Sequence, residues 1–191
     1  MFTPTKLADG SSVGNQQYQV GFGWRISKDA YDRTTYHHSG VTPGARSTLL
    51  LYPNAKLSVS FLSNAAWTSQ IEKTAGSLAE VIIQKPEFYQ FNKPQQISGN
   101  FDGKPFKASI NCSEDGCYLS EKSDNLNLWL KRFSINGEAQ DWPIYLSDKG
   151  ILLVTSIGLA WFKEDAQNNY NTVFGSRRTL SFQFDSPDKI H

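Results

Sequence analysis

The sequence predicts an α+β fold: an antiparallel sheet edge with a covering C-terminal helix, followed by a small all-β antiparallel sandwich or barrel. Three observations predict it. Apolar residues alternate at period two over 18–27 and again over 56–63, the signature of half-buried strands, with a continuous apolar strand over 48–52. One stretch, 69–84, switches to helical spacing. From Ile97 onward short β-like runs are broken every 8 to 12 residues or so by turn residues, with no helical pattern among them. The expected organisation is therefore a sheet-and-helix unit over 1–84, a linker over 85–96, and a β unit over 97–191.

Residues 1–17 are polar and glycine-bearing, and read as loop. Tyr18 to Ser27 reads as a strand whose Gly21 and Gly23 let another backbone or side chain come close. Arg33 to Gly40 forms a polar strand, Thr42-Pro43-Gly44 a turn, and Thr48 to Tyr52 the apolar strand that returns. In Lys56 to Ser63, Leu57, Val59 and Phe61 face one side and Ser58, Ser60 and Leu62 the other. Ser69-Gln70-Ile71-Glu72 spells a capping box, and Ile71, Ala75, Leu78, Ala79 and Ile82 then share a helix face. Lys85-Pro86 ends that helix, since proline cannot continue it. In the β unit the expected strands are Phe106–Cys112, Cys117–Glu121, Leu126–Phe133, Ile151–Thr155, Leu159–Lys163 and Thr179–Phe184, with turns at Asp102-Gly103, Asn136-Gly137 and Lys149-Gly150.

Composition excludes several classes of function. Nineteen basic and 18 acidic residues give a net charge of +1, so no nucleic-acid partner is expected. No apolar run approaches the roughly 20 residues of a membrane span, and the first residues carry no signal-peptide pattern. Cys112 and Cys117 flank a four-residue turn, so a disulfide is sterically reasonable and would place the protein in an oxidising compartment; two buried free thiols are the alternative. His37 and His38 are adjacent on a strand and point to opposite faces, so they cannot chelate one ion. The third histidine is the last residue, His191, and neither a metal nor another cofactor is expected. From spacing alone the two histidines read as surface or packing residues.

An ordered set of segments alters that balance. Tyr18-Gln19-Val20-Gly21-Phe22-Gly23-Trp24, His38-Ser39-Gly40-Val41-Thr42-Pro43-Gly44, Leu49-Leu50-Leu51-Tyr52-Pro53, Leu57 to Asn64 and a closing helix together resemble the last third of the serine β-lactamase-related hydrolases. That group includes class C β-lactamases, D-Ala-D-Ala carboxypeptidases, D-aminopeptidases and esterases. The resemblance covers residues 1–84 and implies a partial β-lactamase/transpeptidase-like fold; from 97 on it is only architectural, to appended C-terminal β domains. It also implies a periplasmic or secreted parent that hydrolyses amide or ester bonds of a small-molecule or peptide substrate through an acyl-serine.

In such enzymes a Ser-x-x-Lys and a Tyr-x-Asn face a Lys- or His-x-Gly strand. His38-Ser39-Gly40 is similar to that strand. By carry-over, His38 contacts the substrate or the tyrosine hydroxyl, the Val41 N–H is an oxyanion donor, and Ser39 and Gly40 line the substrate. The other two motifs belong upstream, where Thr3-Pro4-Thr5-Lys6 has no serine at the first position. Ser186-Pro187-Asp188-Lys189 and Tyr52-Pro53-Asn54 have the letters but not the place. The expectation is thus a C-terminal fragment, inactive alone. It exposes an apolar patch larger than the roughly 300–600 Å² usual for a monomer, and associates with its missing N-terminal half or with itself. The competing readings are half of a split hydrolase, or a non-catalytic module whose Trp129, Trp142, Trp161 and Phe162 touch peptide or glycan; core packing is the bland reading of those rings.

Overall fold

The computed structural model describes residues 2–15, 18–29, 31–64, 71–121, 141–155, 158–172 and 180–185. Among these, fourteen strands accompany a single α-helix. The α+β expectation is therefore corrected: the chain is mostly β. It comprises a five-stranded sheet, a closed eight-stranded barrel, and a helix that does more than cover a sheet.

The sheet is an antiparallel meander of β1 (Gln19–Gly21), β2 (Trp24–Lys28), β3 (Thr34–Thr42), β4 (Ala45–Tyr52) and β5 (Leu57–Ser63), in that spatial order. Pro43-Gly44 joins β3 to β4 with Thr42 opposite Ala45, and Gly44 takes the positive φ of 78° that this tight turn needs. Gly21 behaves as expected, because a Cβ there would lie 2.3 Å from the Thr3 carbonyl oxygen; Gly23 instead serves a turn at φ 85° with open space around it. Register places Arg25, Ser27, Thr35, His37, Ser39, Thr48, Leu50 and Tyr52 on one face. Trp24, Ile26, Tyr36, His38, Leu49 and Leu51 occupy the other.

Helix α1 (Ile71–Gln84) lies across the first of these faces. The capping-box residues Ser69 and Gln70 lie outside the described residues. The expected apolar stripe is only partly right: Ile71, Ala75 and Ala79 are buried, whereas Ile82 is exposed. The helix buries two faces instead of one. Ala75, Ala79 and Ile83 pack on Leu50, Tyr52, Leu57 and Val59 of the sheet, while Val81 meets Leu152, Leu159 and Trp161 of the barrel.

The barrel runs β7 (Gln95–Phe101), β8 (Lys104–Ser113), β9 (Gly116–Glu121), β10 (Trp142–Ser147), β11 (Gly150–Thr155), β12 (Gly158–Glu164), β13 (Tyr170–Thr172) and β14 (Leu180–Phe184). Pairing of β14 with β7 closes the circuit of strands and rules out the sandwich. A short β6 (Phe88–Tyr89), inside the stretch expected to be linker, pairs with β10. On β12, Ala160 and Phe162 enter the barrel core while Leu159 and Trp161 face the helix, so both faces are buried and the run loses its alternation. Cys112 and Cys117 sit opposite each other on β8 and β9, joined by a disulfide. The expected strand Leu126–Phe133, the Asn136-Gly137 turn and Thr179 lie outside the described residues.

Candidate functional site

Strand β3 carries the candidate wall. His38 is exposed on the face away from α1, and Gly40 shares that face. A Cβ at Gly40 would lie 2.6 Å from Ser47 Oγ, so glycine here leaves room for a hydroxyl of the same sheet. Val41, 66% exposed, is paired with Arg46 near the end of the hairpin. Gly40, Val41, Arg46, Ser47, Phe61 and Leu62 border a cavity of about 590 Å³, within the usual range of ligand pockets.

Ser39 is placed elsewhere. Its hydroxyl points to the helix side, donating to Glu72 Oε1 at 2.5 Å and lying 3.0 Å from the Thr48 hydroxyl. The structure thus brings His38 and Gly40 together and sets Ser39 behind them. Tyr52 of Tyr52-Pro53-Asn54 is fully buried against α1, and among the described residues its hydroxyl has no hydrogen-bond partner. Ser186-Pro187-Asp188-Lys189, His191 and Trp129 lie outside the described residues. Trp142, Trp161 and Phe162 are all buried, as the core-packing reading of those rings has it and against the competing contact surface.

Sequence reasoning missed the charge cluster on the helix-facing side. His37, buried beside β2, has its Nε2 3.1 Å from Ser27 Oγ and its Nδ1 3.5 Å from Glu72 Oε1. The second distance is long for a hydrogen bond and is an electrostatic contact. Arg25 Nη1 donates to the same carboxylate oxygen at 2.7 Å. His37, with Ser39 and Arg25 beside it, holds the Glu72 carboxyl down at about 2 against the cost of burial. A second cluster lies further along α1. Arg33 donates to Asp29 at 2.7 Å and to Glu80, and its guanidinium lies over the rings of Tyr31 and Tyr52. Burial raises the Glu80 carboxyl despite Arg33. Lys73, also buried, is pushed down to about 8 by desolvation. The separation of Glu72 and Glu80 from their strand partners by 47 or fewer residues of intervening chain hides these pairs from any local pattern.

Among the described residues, no histidine, cysteine and carboxylate grouping suited to a metal occurs, and no helix is long and apolar enough to cross a membrane. No family model matches the chain, and no curated protein matches it. A solved structure that resembles it is the octameric penicillin-binding protein homologue from Pyrococcus abyssi, at 15% identity and a TM-score of 0.29. The alignment covers 95% of this chain, which spans 40% of the length of that one.

Proposed function

We propose that the chain is the C-terminal portion of a penicillin-recognising serine hydrolase, acting on amide or ester bonds through an acyl-serine supplied by another segment. The observation that supports this reading is the placement of His38 and Gly40 on one open face of β3, with Gly40 and Val41 bordering a cavity further along the strand. In this reading His38 contributes a polar contact and positive potential to the substrate, and the Val41 N–H is an oxyanion donor. Gly40 keeps the strand low where substrate lies along it. Ser39, its hydroxyl held by Glu72, offers the substrate only its backbone. The Cys112–Cys117 disulfide favours an oxidising compartment, periplasmic or extracellular.

Acylation by a fluorescent penicillin tests the proposal. The chain alone takes no β-lactam label. Joined to the polypeptide encoded upstream, it gains one covalent equivalent on a serine of that segment, and His38→Ala slows acylation on the order of 100-fold. An upstream frame with no Ser-x-x-Lys, or a penicilloyl group found on Ser186, overturns it.

A further inference from the structure

We propose that Ser27, His37 and Glu72 form a second nucleophilic centre, on the helix-facing side of the sheet, that accepts acyl groups from small esters. It does not depend on the reading above, since His38 lies on the opposite face.

The three groups form a chain with one direction. Ser27 and Thr35 are cross-strand partners, as are Arg25 and His37, so Ser27 and His37 are diagonal neighbours on one face of two rigidly paired strands. Ser27 Oγ is 3.1 Å from His37 Nε2, within reach for proton transfer. The Thr35 hydroxyl lies 2.8 Å from Ser27 Oγ and 3.3 Å from the Ser27 carbonyl oxygen; donating to the nearer oxygen, it leaves the serine proton for the imidazole. Glu72 Oε1 faces Nδ1 at 3.5 Å, where an ionised carboxylate selects the tautomer with its proton on Nδ1 and stabilises the imidazolium formed when Nε2 takes a proton. Ser39 and Arg25 fix that carboxylate from two further directions. Nucleophile and orienting acid are thus each held by a further group, while base and acid meet across 3.5 Å as an electrostatic contact, the order of groups expected of an activated serine.

His37 and Thr35 are buried, with the Tyr18 ring edge-on to the imidazole, and solvent reaches the centre from the Ser27 and Glu72 ends. Ser27 is only partly buried, and the Arg25 and Glu72 side chains retain 33% and 27% exposure. Strand β1 pairs with Trp24 to Ile26 and stops short of Ser27. In the reaction, Ser27 Oγ bonds to the carbonyl carbon of the ester as its proton passes to His37 Nε2. The alcohol leaves with that proton, and water then hydrolyses the acyl-serine to the free acid.

The probe is an alkyl fluorophosphonate, read by intact mass and peptide mapping. Ser27 Oγ bonds to phosphorus and fluoride leaves. One adduct on Ser27 is expected, with a rate that drops at least 100-fold in His37→Gln and about tenfold in Glu72→Gln, and is unchanged in Lys104→Ala, an exposed position of the barrel. No adduct on Ser27, or a rate unchanged in His37→Gln, shows a cluster that only packs and overturns the proposal. Because Cys112 and Cys117 are tied to each other and the sequence holds no other cysteine, Ser27→Cys introduces a sole free thiol. Its alkylation by iodoacetamide is expected to run at least tenfold faster than in the same chain unfolded, and to lose that excess with His37→Gln added. An equal rate in folded and unfolded chain counts against the proposal in the same way.

Discussion

The barrel and the seam between sheet and helix are held together by different physics. The barrel buries a continuous apolar cluster in which Ile97, Ile110, Leu146, Ile151 and Phe162 lose all contact with water. The seam buries only Leu50, Tyr52, Ala75 and Ala79 as an apolar cluster, and fills the rest with Arg33 between Asp29 and Glu80 and with Glu72 among Arg25, His37 and Ser39. Apolar burial is insensitive to pH, whereas a seam of charges depends on which of them are ionised. The difference also explains why the helix can serve two partners. Its hydroxyls at Thr74 and Ser77 accept from the N–H groups of Leu159 and Trp161 at 3.1 and 2.9 Å, along the part of β12 that β13 does not pair. The helix thus satisfies backbone N–H groups of β12 beyond its described pairing with β13.

The largest expected effect is in the barrel. Phe162→Ala removes a fully buried ring that packs on Phe182 at 5.1 Å, and should cost about 3–5 kcal/mol. Urea unfolding at pH 5 and pH 8 should give the same loss at both. A loss that changes with pH would mean that the barrel does not behave as a purely apolar core.

These two regions were not equally legible in the sequence. Turn chemistry placed the hairpins: Asp102-Gly103 takes positive φ at both residues, and Gly44 closes the β3–β4 turn as its position after proline suggests. Strand β10 was missed because Pro143 interrupts it; the proline is tolerated where β11 has no partner for it, since that pairing begins at Ile144. Strand β13 is Tyr170-Asn171-Thr172, too short and too polar to announce itself. Together with the closure of the barrel these strands turn an expected α+β chain into a mostly β one. At the candidate wall, alternation alone sent His37 and His38 to opposite faces, as the structure has them. That His37 and Ser39 would meet Glu72 was invisible, because Glu72 reads locally as the last letter of a capping box.

The next effect lies in the seam. Arg33→Met keeps the stem of the side chain but leaves Asp29 and Glu80, both almost wholly buried, facing each other without a cation. Breaking a buried pair from one side is costly, and about 3 kcal/mol is expected at pH 7. Unlike the barrel variant, this one should recover stability in acid, as the orphaned carboxylates take up protons. Melting temperatures of Arg33→Met and the parent from pH 7 to pH 4 measure it; a constant gap would mean that the guanidinium acts through packing on Tyr31 and Tyr52 instead of through charge.

The smallest effect separates the two carboxylates of the helix. The Glu72 carboxyl sits at about 2 in the folded chain against an ordinary 4.5, so as pH falls the unfolded chain takes its proton first. Its stabilisation is therefore complete above about pH 4.5 and is lost as pH drops toward 2. Glu80, raised by burial, runs the other way: its ionisation weighs against folding as pH rises through its folded value. With the side chain of Glu72 27% exposed, solvent screening trims its share to about 1–2 kcal/mol. Glu72→Gln should remove that much of the acid-limb slope in chemical denaturation between pH 5 and pH 2.5, and Glu80→Gln should leave the limb as steep or make it steeper. Equal slopes in the parent and in Glu72→Gln would mean that Arg25, His37 and Ser39 hold Glu72 no better than water does, and the charged half of the seam would then be no stronger than its four buried apolar residues.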